Sequence, residues 1–256
     1  MSNISLKKIF SLSDQGLSMP EQGSAEWLAG RVGRITGSKG GDLFFDFKQE
    51  SDWDKILAKW FDDTPQHFDQ LAKNRMAWGS KHEDTAVDVI VESLPGARFF
   101  ECPQILINDV YAVSPDGALV ILDENGQHKE HLNIEIKCPG RYSKNGQEKS
   151  PEEMKQYLQK DWKFPKQYYM TQIHQEMVGQ KCKETLFVAW TPKMTRMWRI
   201  PFNPSYWNLC LEVFENFRLK NIPFEVMYSK VDLLKRRSWG VANVPVWKDI
   251  YHDSCI

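Results

Sequence analysis

Residues 114 to 138 read SPDGALVILDENGQHKEHLNIEIKC, and the second half of this stretch decides which fold the chain can adopt. From Leu132 to Cys138 apolar and polar residues alternate strictly. An alternation with period two predicts a β-strand that packs one face against a core. Glu135 and Lys137 then project together from the other face, about 7 Å apart along the strand by its rise per residue.

A second acidic residue comes before this strand. Asp116 stands just ahead of the short apolar run 118–122, which is followed by the turn residues Asp-Glu-Asn-Gly at 123–126. This order predicts a β-hairpin that brings Asp116 beside Glu135. Two carboxylates and a lysine, Lys137, at one end of a sheet suit a hard divalent cation and an activated water molecule.

Composition bounds the class of protein. With 256 residues, of which 41% are hydrophobic and 26% charged, the chain fits one large domain, alone or with extensions. Because the net charge is -1, a nucleic-acid binder of this composition must concentrate its basic residues on one surface. The five cysteines form no Cys-x-x-Cys pair, which favours reduced thiols in an intracellular protein. A secretory signal and a long apolar run are both missing, so we expect a cytoplasmic protein without a membrane segment.

A helix is predicted over residues 79–94, and it carries a third acidic residue. Apolar residues follow Glu83 at spacings of three, four and seven, namely Ala86, Val87 and Ile90. Glu83 therefore shares the apolar, inward-facing stripe of this helix. A buried carboxylate is costly unless it is paired, protonated or near a metal. The alternative is a carboxylate at the edge of the stripe that reaches solvent.

Strand and helix patterns alternate through the rest of the chain. Further strands are predicted at residues 104–107, 111–113, 119–122, 185–190 and 194–200. Further helices are predicted from Ser24, from Pro165 to about Val178, and from Pro204 to about Lys220. This order predicts an α/β fold with a central mixed β-sheet flanked by α-helices. We divide the chain into an N-terminal extension (1–24), one main domain (25–222) and a C-terminal extension (223–256) that packs on the same domain.

Three further blocks of residues accompany the hairpin motif in a fixed order. The hairpin supplies Ser-Pro-Asp-Gly at 114–117 and Ile-Glu-Ile-Lys-Cys-Pro at 134–139; the other blocks are WLAGRVGRITGS at 27–38, AWGSKHE at 77–83 and YMTQ at 169–172. Together they resemble the lambda exonuclease (YqaJ-like) family of the PD-(D/E)xK nuclease superfamily. The resemblance spans residues 27–178 and implies the restriction-endonuclease-like fold of that superfamily.

The resemblance implies a metal site. Asp116, Glu135 and the carbonyl oxygen of Ile136 match the family's ligands for one or two divalent ions. Glu83 matches the helix carboxylate that helps to position a metal or its waters, which gives its inward position a reason. Oxygen-only ligands favour Mg²⁺, with Mn²⁺ as the alternative, over zinc.

The same resemblance implies the roles of three residues around the reacting phosphate. Lys137 is expected to orient and activate the attacking water and to stabilise developing charge. Gln172 is expected to support this lysine or the phosphate, with Tyr169 as its neighbour on the helix. All three would serve a phosphodiester whose charge must be neutralised as the pentacoordinate centre forms.

Recognition of a DNA end is also implied by the resemblance. Arg31, Ser38 and Ser114 match residues that hold a terminal 5′-phosphate. An arginine can grip a phosphate with two parallel hydrogen bonds. The sequence also predicts that Ser38 caps the helix that follows it, and a serine at a helix start adds a hydroxyl near free N–H groups. Met76 stands where family members use an apolar wedge to unpair the terminal base pair.

Taken together, the resemblance implies a metal-dependent 5′-to-3′ exonuclease that degrades one strand of linear double-stranded DNA from a 5′-phosphorylated end. The 3′ overhang would serve a single-strand-annealing recombinase, and the enzyme would be a ring-shaped homotrimer. The resemblance is compatible with a phage or viral origin. An endonuclease or an alkaline-type DNA/RNA nuclease of the same superfamily is one alternative. A catalytically silent protein that binds DNA ends is another, although such a protein has no physical reason to keep converging charges.

Overall fold

A six-stranded sheet organises the computed structural model, which describes residues 24–61 and 68–252. The strands are β1 Ile35–Thr36, β2 Ala97–Phe100, β3 Ile105–Leu106, β4 Tyr111–Val113, β5 Gly117–Leu122, β6 His128–Lys137, β7 Glu184–Thr191, β8 Met194–Pro201 and β9 Lys248–Tyr251. The central sheet has the order β2-β5-β6-β7-β8-β9, and β1, β4 and β3 form a small second sheet. Within the central sheet β6 and β7 are parallel and the other neighbours are antiparallel, so the sheet is mixed.

Eight α-helices and two 3-10 helices lie in the described part of the chain. The α-helices are α1 Ala25–Ala29, α2 Asp42–Phe45, α3 Ser51–Phe61, α4 Gln70–Ser93, α5 Pro151–Asp161, α6 Met170–Gln180, α7 Pro204–Leu219 and α8 Phe224–Ala242. The 3-10 helices are Gly37–Gly41 and Gln167–Tyr169. No helix among the described residues is long and apolar enough to cross a membrane. The predicted α/β fold, a mixed sheet flanked by helices, is confirmed.

Both faces of β6 are buried, whereas the alternation predicted one buried face. Leu132, Ile134 and Ile136 pack against α4 in one apolar cluster. The polar residues of the other face lie under α6, and among them Asn133 and Glu135 are fully buried. A strand with a parallel neighbour is usually covered on both sides, and a polar face in that position needs internal hydrogen-bond partners. The fold therefore places the charged face of the motif inside the protein.

Two helix starts differ from their predictions. α4 begins at Gln70 rather than near residue 79, because the Asp69 carboxylate caps it by accepting a hydrogen bond from Ala72 N at 2.7 Å. No residue of α4 before Ala86 is buried, so no apolar stripe marks its early turns. The helix predicted from Pro165 starts only with the 3-10 turn at 167–169, because Lys166 keeps an extended backbone with ψ 131°.

Residues after 222 complete the core and the sheet. α8 buries Met227, Val231 and Leu234 in the same apolar cluster as α6 and α7. β9 pairs antiparallel with β8 as the edge strand of the central sheet. Of the N-terminal extension assigned to residues 1–24, all but Ser24 lies outside the described residues.

Candidate active site

The hairpin brings Asp116 against the strand that carries Glu135 and Lys137. Gly117 pairs with Ile134 across the hairpin, and the Asp116 carboxylate accepts a hydrogen bond from Ile136 N at 2.7 Å. Glycine at 117 permits this close approach, since a Cβ atom there would lie 2.2 Å from the Phe99 ring. Asp116 therefore lies at the C-terminal end of β6, between the two charged residues of the motif.

Glu135 is the most deeply buried charged group of the site. Its side chain is 0% exposed; one oxygen forms an ion pair with Lys137 and accepts a hydrogen bond from Gln172 Nε2 at 2.7 Å. Its other oxygen, Oε2, is buried without a hydrogen-bond partner. Burial, followed by the charge of Asp116, raises the pKa of Glu135, and Lys137 opposes the rise. An unsatisfied buried carboxylate oxygen is costly and is a natural donor to a cation.

Lys137 is held as a cation. Burial alone lowers the pKa of Lys137, but the charges of Glu135 and Asp116 outweigh burial and leave that pKa well above its usual value. The ammonium group also lies 5.3 Å from the centroid of the Tyr169 ring, within range of a cation–π contact. A lysine in this environment keeps its proton, so it stabilises negative charge and orients a neighbour by donating hydrogen bonds.

Glu83 reaches the same end of the sheet from the opposite face. It is half-buried on α4. Burial and then the charge of Asp116 raise the pKa of Glu83, while Lys137 lowers it. Burial raises the pKa of the thiol of Cys138, the residue that follows β6, and the charge of Glu83 adds to this rise. Asp116 thus lies close enough to both Glu83 and Glu135 for their charges to interact.

The oxygen atoms of Asp116, Glu135 and Glu83 suit a hard cation, but they are not arranged as a complete coordination shell. Among the residues that the structure describes, no three His, Cys, Asp or Glu side chains are already arranged to hold a metal ion. Asp116 is occupied by Ile136 N, and one oxygen of Glu135 is occupied by Lys137. A divalent cation with oxygen ligands would give the buried Oε2 of Glu135 a partner. It would also relieve the repulsion of Asp116 with Glu135 and with Glu83.

Arg31 and Ser114 both contact Trp27, and Ser38 lies beside Arg31. The Arg31 guanidinium lies 4.2 Å from the centroid of the Trp27 indole. It also donates to Thr36 Oγ1 at 3.1 Å and to Ser38 Oγ at 3.5 Å. The indole N–H of Trp27 donates to Ser114 Oγ at 3.0 Å. These five residues form what we call the end pocket, and Ser114 joins it to the carboxylate site two positions later in the chain.

Ser38 does not cap a helix as predicted. It lies within the 3-10 turn Gly37–Gly41, whose start has no side-chain cap. The turn packs on α6 instead, since a Cβ atom on Gly37 would lie 3.0 Å from Cγ of Gln172. Ser38 therefore contributes its hydroxyl beside Arg31 and not a helix N-terminus.

A basic, aromatic cleft opens where the chain leaves β6. Its volume is about 390 Å³, and its lining includes four cations, Arg75, Arg141, Lys144 and Lys149, and the aromatic rings Trp78, Tyr157, Trp162, Tyr168 and Tyr169. The Arg141 guanidinium lies 5.0 Å from the Trp78 ring centroid, and Lys149 Nζ lies 4.3 Å from that of Tyr157. We call this the basic cleft. It concentrates positive charge beside the carboxylates, as a nucleic-acid site on a nearly neutral chain requires.

A family model for the YqaJ-like viral recombinase domain matches residues 26–181. This chain belongs to that family. No curated protein sequence matches the chain. The alkaline exonuclease LHK-Exo from Laribacter hongkongensis has a similar fold, with a TM-score of 0.54 and 18% identity over 86% of this chain and 100% of that one. The structure of LHK-Exo in complex with dAMP gives a TM-score of 0.51 and 17% identity over the same shares.

The structure shows the surroundings of two further residues of this YqaJ-like domain, Gln172 and Met76. Gln172 donates to Glu135 and, at 2.9 Å, to Glu176, rather than to Lys137. Met76 lies on α4 with 46% of its surface exposed, and it does not line the basic cleft.

Sequence reasoning missed several polar residues of the YqaJ-like domain. Glu176 and Asn133 are both buried and hydrogen-bonded to each other. The signal for Glu176 was its spacing of four from Gln172, which puts both on one helix face. Arg141, in the basic cleft, had no such signal, because the polar segment that contains it resembles an ordinary surface loop.

Proposed function

We propose that this protein is a metal-dependent exonuclease that degrades one strand of linear duplex DNA in the 5′-to-3′ direction, starting from a 5′-phosphorylated end. Its membership of the YqaJ-like family and its likeness to the fold of an alkaline exonuclease support the coarser statement that it is a nuclease. One observation carries the finer proposal. The end pocket and the carboxylate site adjoin, because Ser114 belongs to the first and Asp116 to the second.

A terminal phosphate suits the end pocket better than an internal one. A phosphate monoester carries roughly two negative charges near neutral pH, whereas a diester carries one. The Arg31 guanidinium, backed by the Trp27 ring and flanked by the hydroxyls of Thr36 and Ser38, offers several donors in one place. An endonuclease has no need for a group that binds a phosphate monoester beside its cleavage site.

The carboxylate site would hold Mg²⁺, or Mn²⁺, through Asp116, Glu135 and the Ile136 carbonyl, with Glu83 nearby. When bound, such an ion neutralises charge on the phosphate and lowers the pKa of a bound water. Lys137, as a cation, donates hydrogen bonds that orient the attacking water and stabilise the negative charge that develops on the phosphate.

The basic cleft supports a nucleic-acid substrate that continues beyond the site. Arg75 donates to the Ser143 carbonyl at 2.9 Å and Arg141 to the Lys149 carbonyl at 2.9 Å, so two of its cations are already fixed in place. Fixed cations lose less conformational entropy when they bind a phosphate backbone. We further propose that a ring-shaped homotrimer encloses the duplex, and that the 3′ overhang passes to a single-strand-annealing recombinase.

The test compares four duplexes of one sequence with Mg²⁺: linear with 5′-phosphate ends, linear with 5′-hydroxyl ends, nicked circular and closed circular. We expect mononucleotide release from the phosphorylated linear duplex, slower release from the hydroxyl-ended one, and no cutting of the closed circle. Arg31→Ala should remove the difference between the two linear substrates. Arg98→Ala, at an exposed arginine on β2, is the matched control and should keep it.

Each contrary result favours a different alternative. Cutting of the closed circle would favour an endonuclease, and degradation of RNA at a similar rate would favour an alkaline-type nuclease. Binding of DNA ends without any release of nucleotides would favour a catalytically silent end-binding protein. Equal rates on phosphorylated and hydroxyl ends would contradict the role of the end pocket.

A further inference from the structure

Behind the carboxylate site lies a buried carboxylate that the proposed chemistry does not use. Glu176, on α6, is 1% exposed, and each of its two oxygens accepts a hydrogen bond from an amide side chain. Gln172 Nε2 donates to Oε1 at 2.9 Å, and Asn133 Nδ2 donates to Oε2 at 3.0 Å. The second hydrogen of Gln172 Nε2 is donated to Glu135, a proposed metal ligand. Gln172 therefore bridges Glu176 and Glu135.

The hydrogen bonds continue to the strand that follows Asp116. Gln180 Nε2 donates to Asn133 Oδ1 at 2.8 Å and to the Gly117 carbonyl at 2.9 Å. A chain of amides thus runs from the backbone beside Asp116, through Asn133 and Glu176, to Gln172 and Glu135. We call it the amide relay.

The backbone at one end of the amide relay fixes which group of each side chain donates and which accepts. The Gly117 carbonyl can only accept, so Gln180 must turn its NH₂ group towards it. Asn133 must then present its oxygen to Gln180 and its NH₂ to residue 176. Burial and the charge of Glu135 raise the pKa of Glu176 well above its usual value, and the hydrogen bonds from Asn133 and Gln172 oppose that rise. A carboxylate at residue 176 accepts from this NH₂ and also from the NH₂ of Gln172. If the Gln172 amide were rotated by half a turn, its oxygen would face oxygens of Glu135 and Glu176. Two acceptors would then meet without a hydrogen between them, which is unfavourable.

We infer that Glu176 is a positioning residue: it orients the Gln172 amide, which holds the Glu135 carboxylate for the divalent ion. The catalytic consequence of this inference rests on the proposed function. The hydrogen bonds that support the inference do not depend on it. Glu176 is not among the proposed metal ligands, and Gln172 is the side chain that links it by hydrogen bonds to Glu135.

The direct test is Glu176→Gln, which keeps shape and replaces one acceptor by a donor. The introduced NH₂ must then face the NH₂ of either Gln172 or Asn133. With phosphorylated linear duplex we expect kcat to fall by about tenfold or more, from the loss of one hydrogen bond in the orienting chain. KM for DNA should stay within about twofold, because the end pocket is untouched. Calorimetry on the same variant should show weaker Mg²⁺ binding, a readout that does not depend on turnover.

A second substitution restores the donor and acceptor order. In the double variant Asn133→Asp/Glu176→Gln, the amide at 176 donates to the carboxylate at 133 and still accepts from Gln172. Gln180 then donates to the other oxygen at 133, and the Thr185 hydroxyl, which now accepts from Asn133, donates instead. We expect kcat and Mg²⁺ affinity to recover to within about threefold of the wild type, although Asn133→Asp alone should be impaired.

Thr185→Val is the matched control, because it removes a bond to Asn133 without changing the order of the relay. It should lower the melting temperature and leave kcat and Mg²⁺ affinity nearly unchanged. The inference is overturned if Glu176→Gln has the same Mg²⁺ affinity as the wild type, or if the double variant is no better than the two single variants. If the wild type binds Mg²⁺ but releases no nucleotides, the proposed function fails and the calorimetric comparison still decides the relay.

Discussion

Replacing Lys137 by methionine should make the protein markedly less stable at alkaline pH. Glu135 is fully buried, and Lys137 supplies its counter-charge from a side chain that is 26% exposed. Methionine keeps most of the length of lysine without the charge, so Glu135 is left with the hydrogen bond from Gln172. Removing one partner of a buried ion pair typically costs about 3–5 kcal/mol; since Lys137 is partly exposed, we expect about 3 kcal/mol at pH 8 without metal.

Protonation of Glu135 should relieve this cost at low pH. Burial and Asp116 raise the pKa of Glu135 and Lys137 opposes them, so loss of the lysine raises that pKa further. When the folded-state pKa of a carboxyl group exceeds its unfolded value, stability is greatest below the unfolded pKa and is lost as pH rises towards the folded pKa. The loss of stability in Lys137→Met should therefore shrink to about 1 kcal/mol at pH 5.

Urea unfolding of the metal-free protein at pH 5 and pH 8 measures both losses. The double variant Glu135→Gln/Lys137→Met removes both charges and serves as the control, since its loss relative to the wild type should lack the extra pH dependence of the single variant. If Lys137→Met loses the same free energy of unfolding at both pH values, Glu135 is not the buried, lysine-dependent carboxylate described above, and the reasoning is refuted.

Two further predictions concern the packing and the substrate path. Gly117→Ala should destabilise the protein by about 1–3 kcal/mol, because the new methyl group would overlap the Phe99 ring. Thermal unfolding measures this loss, and the double variant Phe99→Leu/Gly117→Ala should recover part of the lost stability. Lys144→Glu in the basic cleft should raise KM for long duplexes and flatten the dependence of KM on salt, whereas Arg98→Glu on β2 should change neither. Equal effects of the two charge reversals would argue against the basic cleft as a DNA path.

Much of the fold was available from local sequence patterns. The alternation from Leu132 to Cys138 predicted the central strand, and the turn residues after the apolar run 118–122 predicted the hairpin. These signals are readable because each depends on residues that are neighbours in the chain. The start of α4 and the edge strand β9 were missed for the converse reason: one is an exposed capped segment and the other a four-residue strand stabilised by pairing with β8.

Motif resemblance named the residues of the candidate site but not their contacts. The resemblance implied that Gln172 supports Lys137 or the phosphate. In the structure α6 packs over β6, and the Gln172 amide donates to Glu135 and Glu176. The local sequence pattern predicted that Ser38 caps a helix, whereas the residue lies inside a 3-10 turn beside Arg31. Such contacts depend on how two elements pack, and no periodicity within either element encodes the packing.

The sequence by itself determined a hairpin that carries Asp116, Glu135 and Lys137, and it determined the family. Only the tertiary structure decided that the charged face of β6 is covered by α6 and therefore needs partners inside the protein. It also decided that Trp27 links Arg31 to Ser114, 87 residues further along the chain from the tryptophan. The physical reason is the same in both cases. A buried polar group needs a hydrogen-bond partner inside the protein, and the fold supplies that partner from a segment that is distant in the sequence.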